Sequence, residues 1–181
     1  YEVVGTLLPD DPCAERLTGL DLQLLHGDLC DPGFAEEAVC GVDAVLHTAN
    51  MVGDIYFQNN VIATFNIAQA CARHADRIER LVSVSSSGVY PNDSHVLACA
   101  YHPVDELHPK RPLGPYSLSK LLGEEIVKSF ALSSGLRTAL VRPSGIVSGE
   151  AALSRWTVGF VGAILHHCQS SPRGELYLGP D

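Results

Sequence analysis

Basic residues are scarce in this chain. Its 12 lysines and arginines face 21 aspartates and glutamates, a net charge of −9 with the histidines neutral. Such a surface lacks the basic footprint of a DNA- or RNA-binding protein, so no nucleic-acid partner is expected. Long apolar runs are lacking too. The best candidate, Val158 to Leu165, is about half of the ~20 residues of a bilayer span and reads as a core helix. No basic, apolar leader opens the chain, and no export signal is expected. Paired cysteines are also missing. Cys13, Cys30, Cys40, Cys71, Cys99 and Cys168 are scattered, with no C-x-x-C among them, which suits reduced, mostly buried thiols of a cytoplasmic protein. The same scatter gives no ligand spacing for zinc, so no metal is expected. Disorder is excluded by size and content, because 181 residues that are 46% hydrophobic can close a single core.

What remains alternates strand with helix. Tyr1–Leu8 reads as a strand stopped by Pro9-Asp-Asp-Pro12, followed by a short helix over Cys13–Leu17 and a strand over Leu20–Leu25. His26-Gly-Asp-Leu-Cys-Asp31 is a loop, and Asp31-Pro32 opens a helix that runs to about Val39. Val42–Ala49 reads as a buried strand and Ile55–His74 as a long amphipathic helix. A strand at Leu81–Val84, a helix around Tyr116 and a strand at Arg137–Val141 follow. Beyond about Ser148 come a helix at Trp156–His167 and a short strand at Glu175–Leu178. The pattern predicts an α/β protein with a parallel sheet covered on both faces. Residues 1–147 form its main domain, and 148–181 begin a second region.

The most informative stretch is Tyr116-Ser-Leu-Ser-Lys120, with Pro115 in front. Pro115 suits the mouth of a helix, where its missing N–H costs nothing. Leu118, Leu121, Leu122, Ile126 and Val127 read as the apolar stripe, with Glu124, Glu125 and Lys128 on the wet side. Four residues apart, Tyr116 and Lys120 share one helix face. A phenol beside a fixed ammonium has its ionised form favoured, which suits a proton-transfer group. Taken alone, the pair is also an ordinary helix surface. Upstream, Leu81, Val82 and Val84 lead into Ser85-Ser-Ser87, then Gly88 and Val89-Tyr90. In an open parallel sheet ligands gather at the carboxyl ends of strands, so these hydroxyls are candidates for substrate contact.

A strand ending in Ser-Ser, a Val-Tyr pair and Tyr-x-x-x-Lys together resemble the extended short-chain dehydrogenase/reductase family, the NAD-dependent epimerase/dehydratase group. The resemblance covers almost the whole chain and implies a Rossmann-like doubly wound sheet with NAD or NADP as cofactor. It makes Tyr116 the acid/base, and Lys120 the group that holds the ribose hydroxyls and favours the phenolate. Counting back four from Tyr90, it puts the serine that hydrogen-bonds the reacting oxygen at Ser86, with Ser85 and Ser87 as alternatives. Asn60, in Asn60-Val-Ile-Ala-Thr64, would help order the site; Ala63 stands where the family has glycine. In Gly27-Asp28-Leu29 the aspartate would meet the adenine edge, although Asp28 also suits a turn cap. His47-Thr48-Ala49 is similar to the small-residue approach to the cofactor, with Asn50 replacing an alanine. Arg142-Pro143-Ser-Gly145-Ile146 resembles the loop whose backbone lines the nicotinamide.

The family's Gly-x-x-Gly-x-x-Gly turn, whose amides bind pyrophosphate, is not found, and is expected to precede Tyr1 together with the family's first strand. In the order 3-2-1-4-5-6 that strand is central. The sheet should therefore be incomplete, with Tyr1–Leu8 either facing Val42–Ala49 across an open slot or pairing with it directly. Ser87 and Gly88 stand where sugar 4,6-dehydratases carry Asp-Glu, which disfavours that reaction. A nucleotide-sugar epimerase is the first reading, and a ketone or alcohol oxidoreductase of hydroxysteroid or dihydroflavonol type the alternative. A non-catalytic dinucleotide sensor, or an inactive fragment, is the rival of another class; intact Ser86, Tyr116 and Lys120 weigh against the sensor. Leu7-Leu8 offers neither the acid that selects NAD nor the arginine that selects NADP, while Asp10 and Asp11 lean to NAD. The partner is a small-molecule substrate, and a homodimer of the full-length protein is left open.

Overall fold

The computed structural model describes residues 1–50, 56–91 and 97–144. All five expected strands within that range form, most of them shorter than their apolar runs. In chain order they are β1 (Val4–Leu7), β2 (Gln23–His26), β3 (Ala44–His47), β4 (Arg80–Val84) and β5 (Thr138–Val141). A 3-10 turn over Pro12–Leu17 joins the first two strands. The helices α1 (Pro32–Val39), α2 (Tyr56–Arg73) and α3 (Gly114–Ser134) make the three later crossings. Every strand pairing is parallel. The elements expected at Trp156–His167 and Glu175–Leu178 lie outside the described residues. Tyr1–Pro143 forms one compact unit and Ser144–Asp181 a second, of which only Ser144 is described.

Local chemistry sets the ends. Asp31 caps α1 by accepting from Gly33 N–H at 2.7 Å, with Pro32 in the first turn, as the sequence suggests. Gly135 ends α3 at φ +74°, a left-handed stop that glycine takes without strain. Arg77 binds the carbonyls of Val39, at 3.0 Å, and Val42, placing a cation at the C-terminus of α1. β2 starts later than expected because Leu20 and Leu22 close short backbone turns onto Leu17 and Leu20.

The strands fall into two sheets, β2–β1 and β3–β4–β5. Between them lies a slot of about 270 Å³, walled by Val4, Gly5 and Thr6 on one side and by Ala44 to Thr48 on the other. Of the two arrangements expected, the chain takes the open slot. Val42–Ala49 was expected to be a buried strand, and this is corrected: Leu46 is 65% exposed, because among the described residues β3 pairs only with β4. The core closes beneath through Ala35 and Val39 of α1, Ile67, Ala68, Ala70 and Cys71 of α2, Leu81 and Val127.

The face that α3 buries is a second correction. Its inner side carries Ser117, Ser119, Gly123, Glu124 and Val127, while Leu118 and Leu122 of the expected stripe are exposed. Small residues let the helix approach closely: a Cβ on Gly123 would sit 3.5 Å from the Thr64 methyl, and one on Gly88 2.8 Å from Ser117 Oγ. Glu124 tolerates burial because it is fully paired there. The cysteines are less buried than expected, too. Of the four described, only Cys71 is buried, Cys30 and Cys99 are intermediate and Cys40 is exposed.

Candidate active site

The carboxyl ends of β1, β2 and β3 open into one pocket of about 300 Å³. Its lining brings together four residues expected at a cofactor, Asp28, Leu29, Thr48 and Ala49, with Asn60, expected to order the active site. Asp11 lines it as well, and Asp10 does not. Gly27 is required, since a Cβ there would lie 2.4 Å from the Phe34 ring. Asp28 plays the turn role weighed for it, accepting from Cys30 N–H at 2.8 Å, and still borders the pocket. Asn66 was not anticipated. Its buried amide donates to the Leu29 and Cys30 carbonyls at 2.9 and 3.0 Å, so α2 grips the loop that forms the pocket wall. An asparagine on the inner face of an amphipathic helix was the available signal.

Tyr116 and Lys120 meet as their spacing requires. Lys120 Nζ stands 5.8 Å from the Tyr116 ring centre and donates to the Val84 carbonyl at 3.3 Å, which ties the pair to the end of β4. Burial lowers the Lys120 pKa. The serine turn follows directly. Ser85 is buried and its hydroxyl donates to Glu124 Oε1 at 2.8 Å. Ser86 Oγ accepts from Gly88 N–H at 3.1 Å as the cap of a 3-10 turn over Ser87–Val89. Both hydroxyls are thus engaged, and of the two only Ser85 lines the crevice that holds Lys120. Gly88 packs on Ser117, next to Tyr116. The Arg142–Pro143 turn is stitched to the same edge by Ser85 N–H to Val141 O at 2.8 Å and Ser87 N–H to Pro143 O at 3.0 Å. Gly145 and Ile146, expected on the nicotinamide side, lie outside the described residues.

Asn60 links the two halves. It lines the large pocket and also the crevice that holds Lys120, Ser85 and Glu124, and its amide donates to Asn50 Oδ1 at 3.2 Å. Glu124 is the polar hub. It accepts from Arg142 Nε at 2.6 Å and Nη2 at 2.8 Å, from Lys110 at 2.9 Å and from Ser85. Burial alone would push its carboxyl up; the hydrogen bonds from Arg142, Lys110 and Ser85 prevail and bring it down to about 2.

His47 does not line the large pocket; it is buried beneath it, bordering the slot. Thr64 Oγ1 donates to Asn60 O at 2.7 Å, so the His47 Nε2–H at 3.1 Å is the donor to Thr64. Burial, with the Lys120 charge adding to it, pushes the imidazole from 6.5 down to about 4. The unfolded chain therefore takes up a proton that the folded chain refuses. Stability supplied by neutral His47 is complete above pH 6.5 and is lost as the pH falls from 6.5 towards 4, a window worth on the order of 3 kcal/mol. In the full-length protein, His47→Gln should flatten the melting temperature across that window. An unchanged acid slope would mean that His47 is not its source.

Parallel strands, helical crossings, a pocket at the strand ends and a Tyr–Lys pair beside a serine turn define an α/β protein of the dinucleotide-binding type. The chain belongs to the NAD dependent epimerase/dehydratase family, whose model matches residues 3–168. It is 38% identical over 130 residues to the 2-alkyl-3-oxoalkanoate reductase of Stenotrophomonas maltophilia, covering 66% of this chain and 36% of that protein. To the UDP-glucose 4-epimerase of Azospirillum brasilense it is 29% identical over 155 residues, covering 79% of this chain and 42% of that protein. Among solved structures, a short-chain dehydrogenase/reductase superfamily protein from Agrobacterium tumefaciens with bound NAD matches with a TM-score of 0.66 at 29% identity. That match covers 84% of this chain and 48% of that one. The chain thus spans less than half the length of these relatives.

Proposed function

We propose that the full-length protein is an NAD-dependent oxidoreductase acting at a secondary alcohol or ketone carbon, most specifically a nucleotide-sugar 4-epimerase. The observation that carries this reading is the Tyr116–Lys120 pair, fixed against the end of β4 beside the serine turn. Tyr116 moves the hydroxyl proton, Lys120 keeps a positive charge beside the phenol, and Ser86 holds the reacting oxygen. Asn60 joins this centre to the pocket. When bound, the dinucleotide supplies the hydride chemistry. The large pocket suits the adenosine half of NAD: Thr48 and Ala49 are small, and Asp11 and Asp28 present carboxylates to hydroxyls and amines. Among the described residues no lysine or arginine lines it, and its charged groups are Asp11 and Asp28, which favours the 2′-hydroxyl of NAD over the 2′-phosphate of NADP. Residues 148–181 begin the substrate-binding region in this reading. The exposed Ile62, Phe65, Leu118 and Leu122 of α2 and α3 support a homodimer of the full-length protein.

A second reading, a ketone reductase, is favoured by the 38% identity to the oxoalkanoate reductase. One experiment decides between them. Full-length protein with NAD(H) is offered UDP-glucose, UDP-galactose and a 2-alkyl-3-oxoalkanoate. Interconversion of the UDP-sugars without net change in NADH is the expected result. NADH oxidised in step with keto acid consumed would establish the reductase instead, and turnover of neither would refute both.

A further inference from the structure

Glu124 has no part in the proton path just described, yet it is 1% exposed and carries a charge. It lies one helical turn from Lys120 and two from Tyr116, so all three share a face of α3. We propose that Glu124 is a positioning residue: its bonds to Ser85 and Arg142 hold the helix carrying Tyr116 and Lys120 in register with the serine turn and the Arg142–Pro143 turn. The inference rests on the proton path proposed for Tyr116.

The bonds form a closed circuit. Glu124 accepts from Ser85, whose neighbour is Ser86; Ser87 N–H donates to Pro143 O; and Arg142, one residue back, returns to Glu124 through two nitrogens. Arg142 also donates to the Tyr90 hydroxyl, which closes the far end of the serine turn. Such two-point pairing fixes angle as well as distance. A lone salt bridge would add little to stability after its desolvation cost, whereas this one joins the three segments that carry the proposed chemistry. Lys110 adds a fourth segment at 2.9 Å, and Lys120 shares the crevice with Glu124.

The test uses full-length protein with NAD, and UDP-glucose as probe substrate. Glu124→Gln puts an amide N–H₂ against the Arg142 donors, and Ser85→Ala deletes one bond of the circuit. Each is expected to lower kcat by about tenfold to a hundredfold, with KM and NAD affinity changed by less than about threefold. In a Tyr116→Phe background neither should cost further turnover, because the misplaced group is already gone. Without any substrate, the ring-¹³C tyrosine NMR signal that vanishes in Tyr116→Phe should move in both variants. Unchanged kcat with an unmoved signal would overturn the proposal, as would losses that stay additive with Tyr116→Phe and track a lowered melting temperature. Should Glu124→Gln not fold, Ser85→Ala gives the same decision. Failure of the proton path shows separately, as full turnover in Tyr116→Phe alone, and the NMR signal still reads the register in that case.

Discussion

Tyr116→Phe in the full-length protein should reduce turnover by about 10²–10⁴, the loss expected when a general acid/base is removed, with NAD affinity almost unchanged. The expectation follows from geometry. The phenol sits in the first turn of α3 with Lys120 Nζ 5.8 Å from its ring, so deleting the hydroxyl removes a proton carrier and leaves the ring in place. The pocket residues Asp28, Thr48 and Ala49 belong to other elements, which is why cofactor affinity should survive. Stopped-flow hydride transfer and a separate NAD titration measure the two quantities. Retained turnover would take Tyr116 out of the mechanism, and a large fall in NAD affinity would reassign it to cofactor binding.

The sequence showed this pair because a helix of period 3.6 turns a four-residue spacing into a shared face, whatever the tertiary context. The same logic misplaced Glu124. Binary patterning assigns a carboxylate to solvent, and nothing local to α3 reveals that Arg142, 18 residues on, and Lys110, 14 residues back, arrive to neutralise it. Leu118 and Leu122 were misread for the complementary reason: once Ser117, Ser119, Gly123, Glu124 and Val127 face inward, these two leucines lie on the opposite side of the helix and must face out. Loop chemistry was easier to read. Asp31-Pro32 names its own helix start, and Gly27-Asp28 its own turn, because both depend on neighbours in sequence. Asn66 offered only its place on the inner face of α2 as a signal, since its partners, the carbonyls of Leu29 and Cys30, carry no side-chain signature. Asp11 was seen as acidic but could not be separated from Asp10 until the turn after β1 placed only one of them at the pocket.

Expressed alone, the 181 residues should melt without a cooperative transition or aggregate, and should not bind NAD in the micromolar range. The slot between β1 and β3 is the reason. Among the described residues β1 pairs only with β2 and β3 only with β4, so each presents to the slot a row of backbone groups that no described strand pairs. Each such group that stays dry costs on the order of 1–3 kcal/mol, against a typical total stability of about 5–15 kcal/mol. A slot of about 270 Å³ admits several waters, which relieves part of that cost. It also leaves Val4 and Leu46 exposed on strand edges that can template pairing between chains. The slot and the large pocket share Thr6, Leu29, Thr48 and Ala49, so loosening one loosens the other, and weak NAD binding is expected along with the poor melt. The comparison that decides it sets the purified 181 residues beside the full-length protein, in calorimetry and in NAD titration. A strand laid into the slot would pair both edges and cover Leu46, so the full-length protein should melt sharply and bind NAD. A sharp melt with micromolar binding from the 181 residues alone would show that β1 and β3 close on each other in solution and that the slot carries no cost.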